Sequence, residues 1–231
     1  MYRSSLVLGT GGTPVSGSIE AFEQHLREAA IIDPPGMHHS FASDLHGQKV
    51  DFGLIPEQSP VWYEWVHRRT EFIDAQYPVR DFGHIALVGI ANGTLTFASE
   101  VAERLGGRAV ALRTTKQTPK SVALTEVATQ ALSRGTYDVV IPFDDVGTEG
   151  TTTLSAVRSI QSLQRQNPGI KLIEVVNTWQ RQEHLPLLDH ASITYRALIN
   201  TRLATYTPED CAAHGFCANG WQLIPHAAKA A

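Results

Sequence analysis

From His84 onward, buried strands alternate with helix-length segments, and this alternation predicts an α/β fold with a doubly wound, mostly parallel sheet. Two further features support it. One strand candidate, Tyr137 to Phe143, runs directly into two adjacent carboxylates, Asp144 and Asp145. A Gly/Thr turn, Val146 to Thr152, then opens into a helical pattern from about Leu154. In such sheets, ligands bind where strands end and helices begin.

Taken in order, the first 17 or so residues are rich in Gly, Ser and Thr and read as a flexible tail. Gly9-Thr10-Gly11-Gly12 looks like a nucleotide loop, but no βα unit surrounds it. Ser18 is an N-cap for a helix reaching about Ile32, with Phe22, Leu26, Ala29 and Ala30 on one face. Asp33-Pro34-Pro35-Gly36 stops it. His38 to Ile55 reads as short strands, and Pro60 starts an aromatic-rich helix ending near Pro78. Residues 18–83 lack an alternation of their own and are expected to form a small N-terminal accessory lobe, hood-like beside a core of residues 84–205. Residues 206–231 form a C-terminal extension.

Within that core, Ile85 to Ile90 is the first strand and Leu95 to Leu105 its helix. Ala109 to Leu112 is a strand expected to end at Arg113, before a mobile cationic loop. Val122 to Leu132 reads as a helix, Leu154 to Gln166 as another, and Lys171 to Val176 and Ile193 to Ile199 as strands.

The chain has 231 residues, enough for one sizeable α/β unit with an accessory piece. A net charge of −4 gives no general attraction to nucleic acid or anionic membrane, so any phosphate site must be local. No window has the apolar length of a membrane span, and the start has too short an apolar core for a signal peptide. Cys211 and Cys217 are the only cysteines, which suits a reducing cytoplasm.

The chemistry concentrates at Phe143-Asp144-Asp145-Val146-Gly147-Thr148-Glu149-Gly150-Thr151-Thr152. Free amides at a turn and helix N-terminus face an anion, Thr hydroxyls add donors, and carboxylates accept from sugar hydroxyls. The segment resembles the signature of type I phosphoribosyltransferases, in which apolar residues precede an acidic pair and a Thr/Gly phosphate loop. It departs from that pattern at Pro142, Gly147 and Glu149. The resemblance extends over about residues 38 to 200 and is closest to the orotate branch. It implies the type I phosphoribosyltransferase fold and transfer of ribose 5-phosphate from phosphoribosyl pyrophosphate (PRPP) to a nucleobase, orotate or another pyrimidine first. Purine bases, and a non-catalytic PRPP- or nucleotide-binding regulator, are the alternatives.

By that resemblance Asp144 and Asp145 hold the ribose hydroxyls, and Val146, Gly147, Thr148, Glu149, Gly150, Thr151 and Thr152 wrap the 5′-phosphate. Ala91, Asn92 and Gly93 present amides to the pyrophosphate. Arg113 and Lys116 meet the leaving group, although Thr114 and Pro119 depart from the cationic loop of the orotate branch. Arg181 and Thr148 face the base. Mg²⁺ is the implied cofactor and a homodimer the implied assembly. Of the branch's Lys-Ser-Gly segment, Ala42 and Asp44 stand at the first and last places, where His38, His39 or His46 could replace the cation or bind metal. Near the C-terminus, Cys211, His214, Cys217 and His226 could close around zinc, although the spacing is not a standard knuckle and burial of two thiols is the simpler reading.

Overall fold

The computed structural model describes residues 18–41, 45–90, 94–118, 121–147, 149–181 and 184–225. The described residues form seven helices: α1 Ile19–Glu28, α2 Pro60–Gln76, α3 Leu95–Arg104, α4 Glu126–Arg134, α5 Thr151–Gln164, α6 Pro186–His190 and α7 Pro208–His214. The strands are β1 Met37–Ser40, β2 His46–Gly47, β3 Ile85–Gly89, β4 Ala109–Thr118 and β5 Ser121–Leu124. They continue with β6 Val139–Gly147, β7 Val175–Gln180, β8 Tyr195–Ile199, β9 Thr205–Tyr206 and β10 Gln222–Ile224. Six strands make the main sheet in the order β5-β4-β3-β6-β7-β8, and four make a small sheet in the order β10-β1-β2-β9.

In the main sheet every neighbouring pair is parallel except β4–β5. The expected doubly wound α/β arrangement is therefore present. Side chains alternate between its faces. Ile85, Leu87, Val139, Ile141 and Phe143 join the cluster that contains Trp65 of α2 and Phe97 of α3. Ala86, Val88 and Val140 point the other way, toward Ala128 and Leu132 of α4 and Ile160 of α5. Burial on both faces explains why β3 reads as an unbroken apolar run. No described helix is long and apolar enough to cross a membrane.

Four boundaries differ from the sequence expectations, each for a physical reason. β4 does not stop at Arg113; it runs to Thr118 and turns into antiparallel β5, so the expected loop is a β-hairpin and the helix expected from Val122 starts at Glu126. This ribbon satisfies its backbone through strand pairing and needs no apolar side chains, which made it read as loop. α4 begins where Thr125 caps it through Ala128 N at 3.2 Å. β7 covers Val175–Gln180 rather than Lys171 to Val176, because its polar residues Asn177, Thr178 and Gln180 are buried at the tertiary level. Finally, α1 ends early, where Ala30 adopts a left-handed φ of 56°.

Helix α2 is locked to the sheet by an aromatic column. Trp65 stacks on Phe97 with ring centroids 3.6 Å apart, and Phe97 lies 5.3 Å from Phe143 of β6. Trp65 Nε1 also donates to Thr178 Oγ1 of β7 at 3.0 Å. Trp65→Ala removes this packing and leaves a cavity, so denaturant unfolding should show a loss of about 3–5 kcal/mol. A loss below about 1 kcal/mol would show that the column does not anchor α2.

Candidate active site

The C-terminal ends of β6 and β7 lie side by side, with Asp144 paired in register to Asn177 and Gly147 to Gln180. Strand β6 delivers Asp144 and Asp145 to this edge, where both are partly buried. Asp144 Oδ1 accepts from Asp145 N at 3.0 Å, and Asp144 Oδ2 accepts from Thr153 Oγ1 of α5 at 2.9 Å. Asp145 Oδ1 accepts from Val146 N at 2.7 Å. Burial raises the Asp144 carboxyl well above the ordinary range, and the neighbouring Asp145 charge raises it further. Burial raises Asp145 as well. Two oxygen-only acids held this way are poised to accept hydroxyl hydrogen bonds or to meet a cation.

Beneath them lies Arg69 of α2, fully buried. Its Nη2 donates to the carbonyls of Asp144 at 3.2 Å and Val176 at 2.6 Å, and Nη1 donates to the carbonyl of Asn177. The guanidinium sits 4.2 Å from the centre of the Phe143 ring. Burial lowers its pKa to about 9, against the favourable charges of Asp144 and Asp145. One cation thus ties the neighbouring strands β6 and β7 together under the acids.

After the acids the chain turns into α5, and two glycines permit the turn. A Cβ on Gly147 would lie 2.5 Å from Asn177 Nδ2 and 3.2 Å from Leu185 Cδ1. This close packing accounts for glycine at a place where the resembled pattern has an aliphatic residue. Gly150 has φ +82°, and a Cβ there would lie 2.9 Å from Leu188 Cγ. As the N-cap of α5, Gly150 offers no side-chain acceptor to the first amides of the helix. By contrast α1, α2, α4 and α7 are capped by Ser18, Ser59, Thr125 and Thr207. The amide donors and positive dipole end of α5 are therefore not occupied by a capping side chain of residue 150. Thr151 and Thr152 occupy its first turn, with Glu149 shortly before it and Val146 next to last in β6, all four part-exposed.

The other expected site residues fall as follows. Arg113 and Lys116 are exposed on β4, where Arg113 pairs in register with Gly89 and Lys116 with Val122. Ala91, Asn92, Gly93 and Thr148 lie outside the described residues, as do Ala42, Asp44, Pro119 and His226. Arg181 follows β7 and is 4% exposed. Its Nη2 donates to the Gln48 carbonyl and its guanidinium covers the Phe41 ring at 4.6 Å. Burial lowers its pKa to about 10. The guanidinium is thus walled in by the β1–β2 hairpin, where a Cβ on Gly47 would lie 2.9 Å from Nη2.

Arg69, Thr153 and Asn177 went unnoticed in the sequence. For Arg69 a signal existed: Trp62, Trp65, Val66, Arg69 and Ile73 recur at helical spacing, and all are buried. A cation on an apolar stripe needs a buried partner, here three carbonyls. Thr153 and Asn177 carried no such signal, because their roles arise across elements.

Arg69→Met should leave those carbonyls without their donor. Unfolding measurements should show a loss of at least about 2–3 kcal/mol, of which Arg69→Lys restores only part because it lacks the fork. The raised acids also set a pH dependence. Their folded form holds protons that the unfolded chain releases, so their stabilisation is complete below the ordinary carboxyl pKa and is lost as pH rises through the raised values. Asp144→Asn should therefore raise Tm near about pH 8, with the gain shrinking toward about pH 4. Identical Tm–pH profiles for variant and parent would refute this reading.

No protein-family model and no curated protein sequence matches the chain. Solved structures do. The crystal structure of orotate phosphoribosyltransferase from Aeropyrum pernix aligns with a TM-score of 0.54 and 16% identity, covering 76% of this chain and 91% of that one. Adenine phosphoribosyltransferase from Saccharomyces cerevisiae, complexed with an imino-altritol bisphosphate and adenine, aligns at 0.55 and 18%, covering 78% and 99%. A further adenine phosphoribosyltransferase aligns at 0.54 and 16% identity. At these identities the likeness is one of architecture: the chain has the α/β fold shared by orotate and adenine phosphoribosyltransferases.

Proposed function

We propose that this protein transfers the ribose 5-phosphate group of PRPP to a nucleobase and releases pyrophosphate. The observation that carries the proposal is the junction of β6 with α5. Two partly buried acids lie near the end of the strand, and a left-handed glycine leaves the following helix N-terminus without a side-chain cap. The open amides suit the 5′-phosphate, and Asp144 and Asp145 suit the vicinal hydroxyls of the ribose. Val146 to Thr152 form the phosphate loop in this reading, and Ala91 to Gly93 serve the pyrophosphate.

In the reaction the bond from C1 to the pyrophosphate oxygen breaks with its electron pair, and a base nitrogen forms the new bond to C1. The sugar carbon passes through an oxocarbenium-like state. Such chemistry needs positioning and charge stabilisation more than a protein nucleophile. Asp144, aligned by Thr153 and by the Asp145 amide, orients the sugar. Arg113 and Lys116, on the exposed β4–β5 ribbon, neutralise the leaving group when the ribbon folds over it.

The donor set also fits Mg²⁺, a hard cation that prefers oxygen ligands. Adjacent carboxyls raised by burial, Asp144 also by the charge of Asp145, are groups whose ionisation a divalent cation would favour. Asp144 and Asp145 would hold it, and its chemistry would be neutralisation of pyrophosphate charge. We further propose a homodimer in a reducing cytoplasm, in keeping with two free thiols.

Orotate is the first acceptor to test, with Arg181 and Thr148 toward the base. A purine acceptor is the second reading, favoured by one observation: the Arg181 guanidinium is enclosed by Phe41 and already donates to Gln48. Incubation with PRPP, Mg²⁺ and a panel of bases should release pyrophosphate with one of them, and Asp144→Asn combined with Asp145→Asn should abolish release. PRPP binding without turnover on any base would favour a regulatory binding protein. Unchanged PRPP affinity in the double variant would remove the sugar-binding role of the acids.

A further inference from the structure

Remote in sequence from the acids, four metal-ligating side chains converge within the small sheet. His38 lies on β1 and His46 on β2. Because Ser40 pairs with His46 in the antiparallel register, His38 and His46 stand diagonally on one face, with ring centroids 5.5 Å apart. Cys211 comes from α7 and Cys217 from the turn after it. The nearest ligand atoms of all four lie within 4.8 Å of one another.

Four of the six ligand-to-ligand separations are short. His38 Nε2 is 3.3 Å from Cys217 Sγ and 3.7 Å from Cys211 Sγ. Cys217 Sγ is 3.6 Å from His46 Nδ1, and the two sulfurs are 3.2 Å apart. A tetrahedral zinc with bonds of about 2.3 Å to sulfur and 2.0–2.1 Å to nitrogen has ligand–ligand edges of roughly 3.3–3.8 Å. An edge between nitrogen and sulfur is then about 3.5 Å and one between sulfurs about 3.8 Å, so the three observed N–S separations fit, while the sulfurs must move apart by about half an ångström to take the metal. His38 and Cys211 are fully buried and His46 is 8% exposed. The Cys217 amide donates to Cys211 Sγ at 3.2 Å, a contact that orients the sulfur toward the other three ligands.

We propose that His38, His46, Cys211 and Cys217 form a structural zinc site. The donor set of two sulfurs and two imidazoles is one that zinc prefers, and four protein ligands leave no open position for catalysis. The sheet around it also needs a staple. Its strands are four, two, two and three residues long, too short to hold together by pairing alone. The metal joins the hairpin of the N-terminal region to the C-terminal segment, which already meets it through β1–β10 and β2–β9 pairing.

The partners expected in the sequence were His214 and His226; His226 lies outside the described residues, and His214 is exposed and lies edge-on to Tyr206 at 5.9 Å. The imidazoles come instead from residues more than 160 positions upstream. A consequence reaches the candidate active site. The same hairpin supplies Phe41 and Gln48 to Arg181, so the zinc holds the wall against which that guanidinium rests.

Full-length protein purified without chelators should contain about one zinc per chain by elemental analysis. His38→Ala and Cys217→Ser should each lower zinc affinity at least about tenfold, whereas His214→Ala should leave the content unchanged. Should those variants fold poorly, the parent protein supplies an independent measurement. Stripped of metal, it should bind Co²⁺ with the visible absorption of a tetrahedral thiolate site, and Zn²⁺ should displace it and raise Tm. Three results would overturn the proposal: a Cys211–Cys217 disulfide by mass in protein as purified, zinc retained by His38→Ala and Cys217→Ser, or metal-free protein that shows no such cobalt spectrum.

Discussion

The fork of Arg69 is the contact on which the arrangement of the site depends. A helix outside the sheet sends one buried cation to carbonyls of the neighbouring strands β6 and β7, at Asp144, Val176 and Asn177. A buried charge without partners costs several kcal/mol, so the helix, the two strand ends and the cation must be in place together. The Trp65–Phe97–Phe143 stack fixes where the helix sits, and thereby where the cation lies. Asp144 and Asp145 stand at a strand end whose position is set from below.

Above that platform, the site trades stability for binding chemistry. Asp144 and Asp145 are adjacent and buried, and both resist ionisation in the free protein. The first amides of α5 lack the side-chain cap that four other helices possess. Each is an unfavourable local choice for a chain that only had to fold. Together they place carboxyl acceptors and amide donors without a side-chain cap on neighbouring sides of one turn, which suits a ligand bearing both hydroxyls and phosphate.

The sequence was most legible where burial is two-sided and continuous. Ile85 to Gly89 and Val139 to Phe143 could be assigned as strands because both faces meet helices, and Ser18 and Pro60 marked helix starts by cap and ring chemistry. Legibility failed where pairing replaces hydrophobicity. Arg113 to Thr118 extends β4 with exposed polar side chains, because β5 satisfies its backbone. Asn177, Thr178 and Gln180 are strand residues although polar, because β6 and β8 pair with that strand while Arg69 meets the Asn177 carbonyl and Trp65 the Thr178 hydroxyl. The glycine at 147 looked like a departure from a pattern and is a consequence of the Asn177 side chain beside it.

Local chemistry in the chain was therefore sufficient to determine the alternation of strands and helices, the acidic pair and the Gly/Thr turn, since each is a pattern of neighbouring residues. Which distant groups meet was decided by the tertiary structure alone. Arg69 finds the ends of two strands, and His38 and His46 find two thiols near the other end of the chain, because sheet register and helix docking bring them within bonding distance. Those encounters depend on three-dimensional closure over long loops of chain, a quantity that no local spacing encodes.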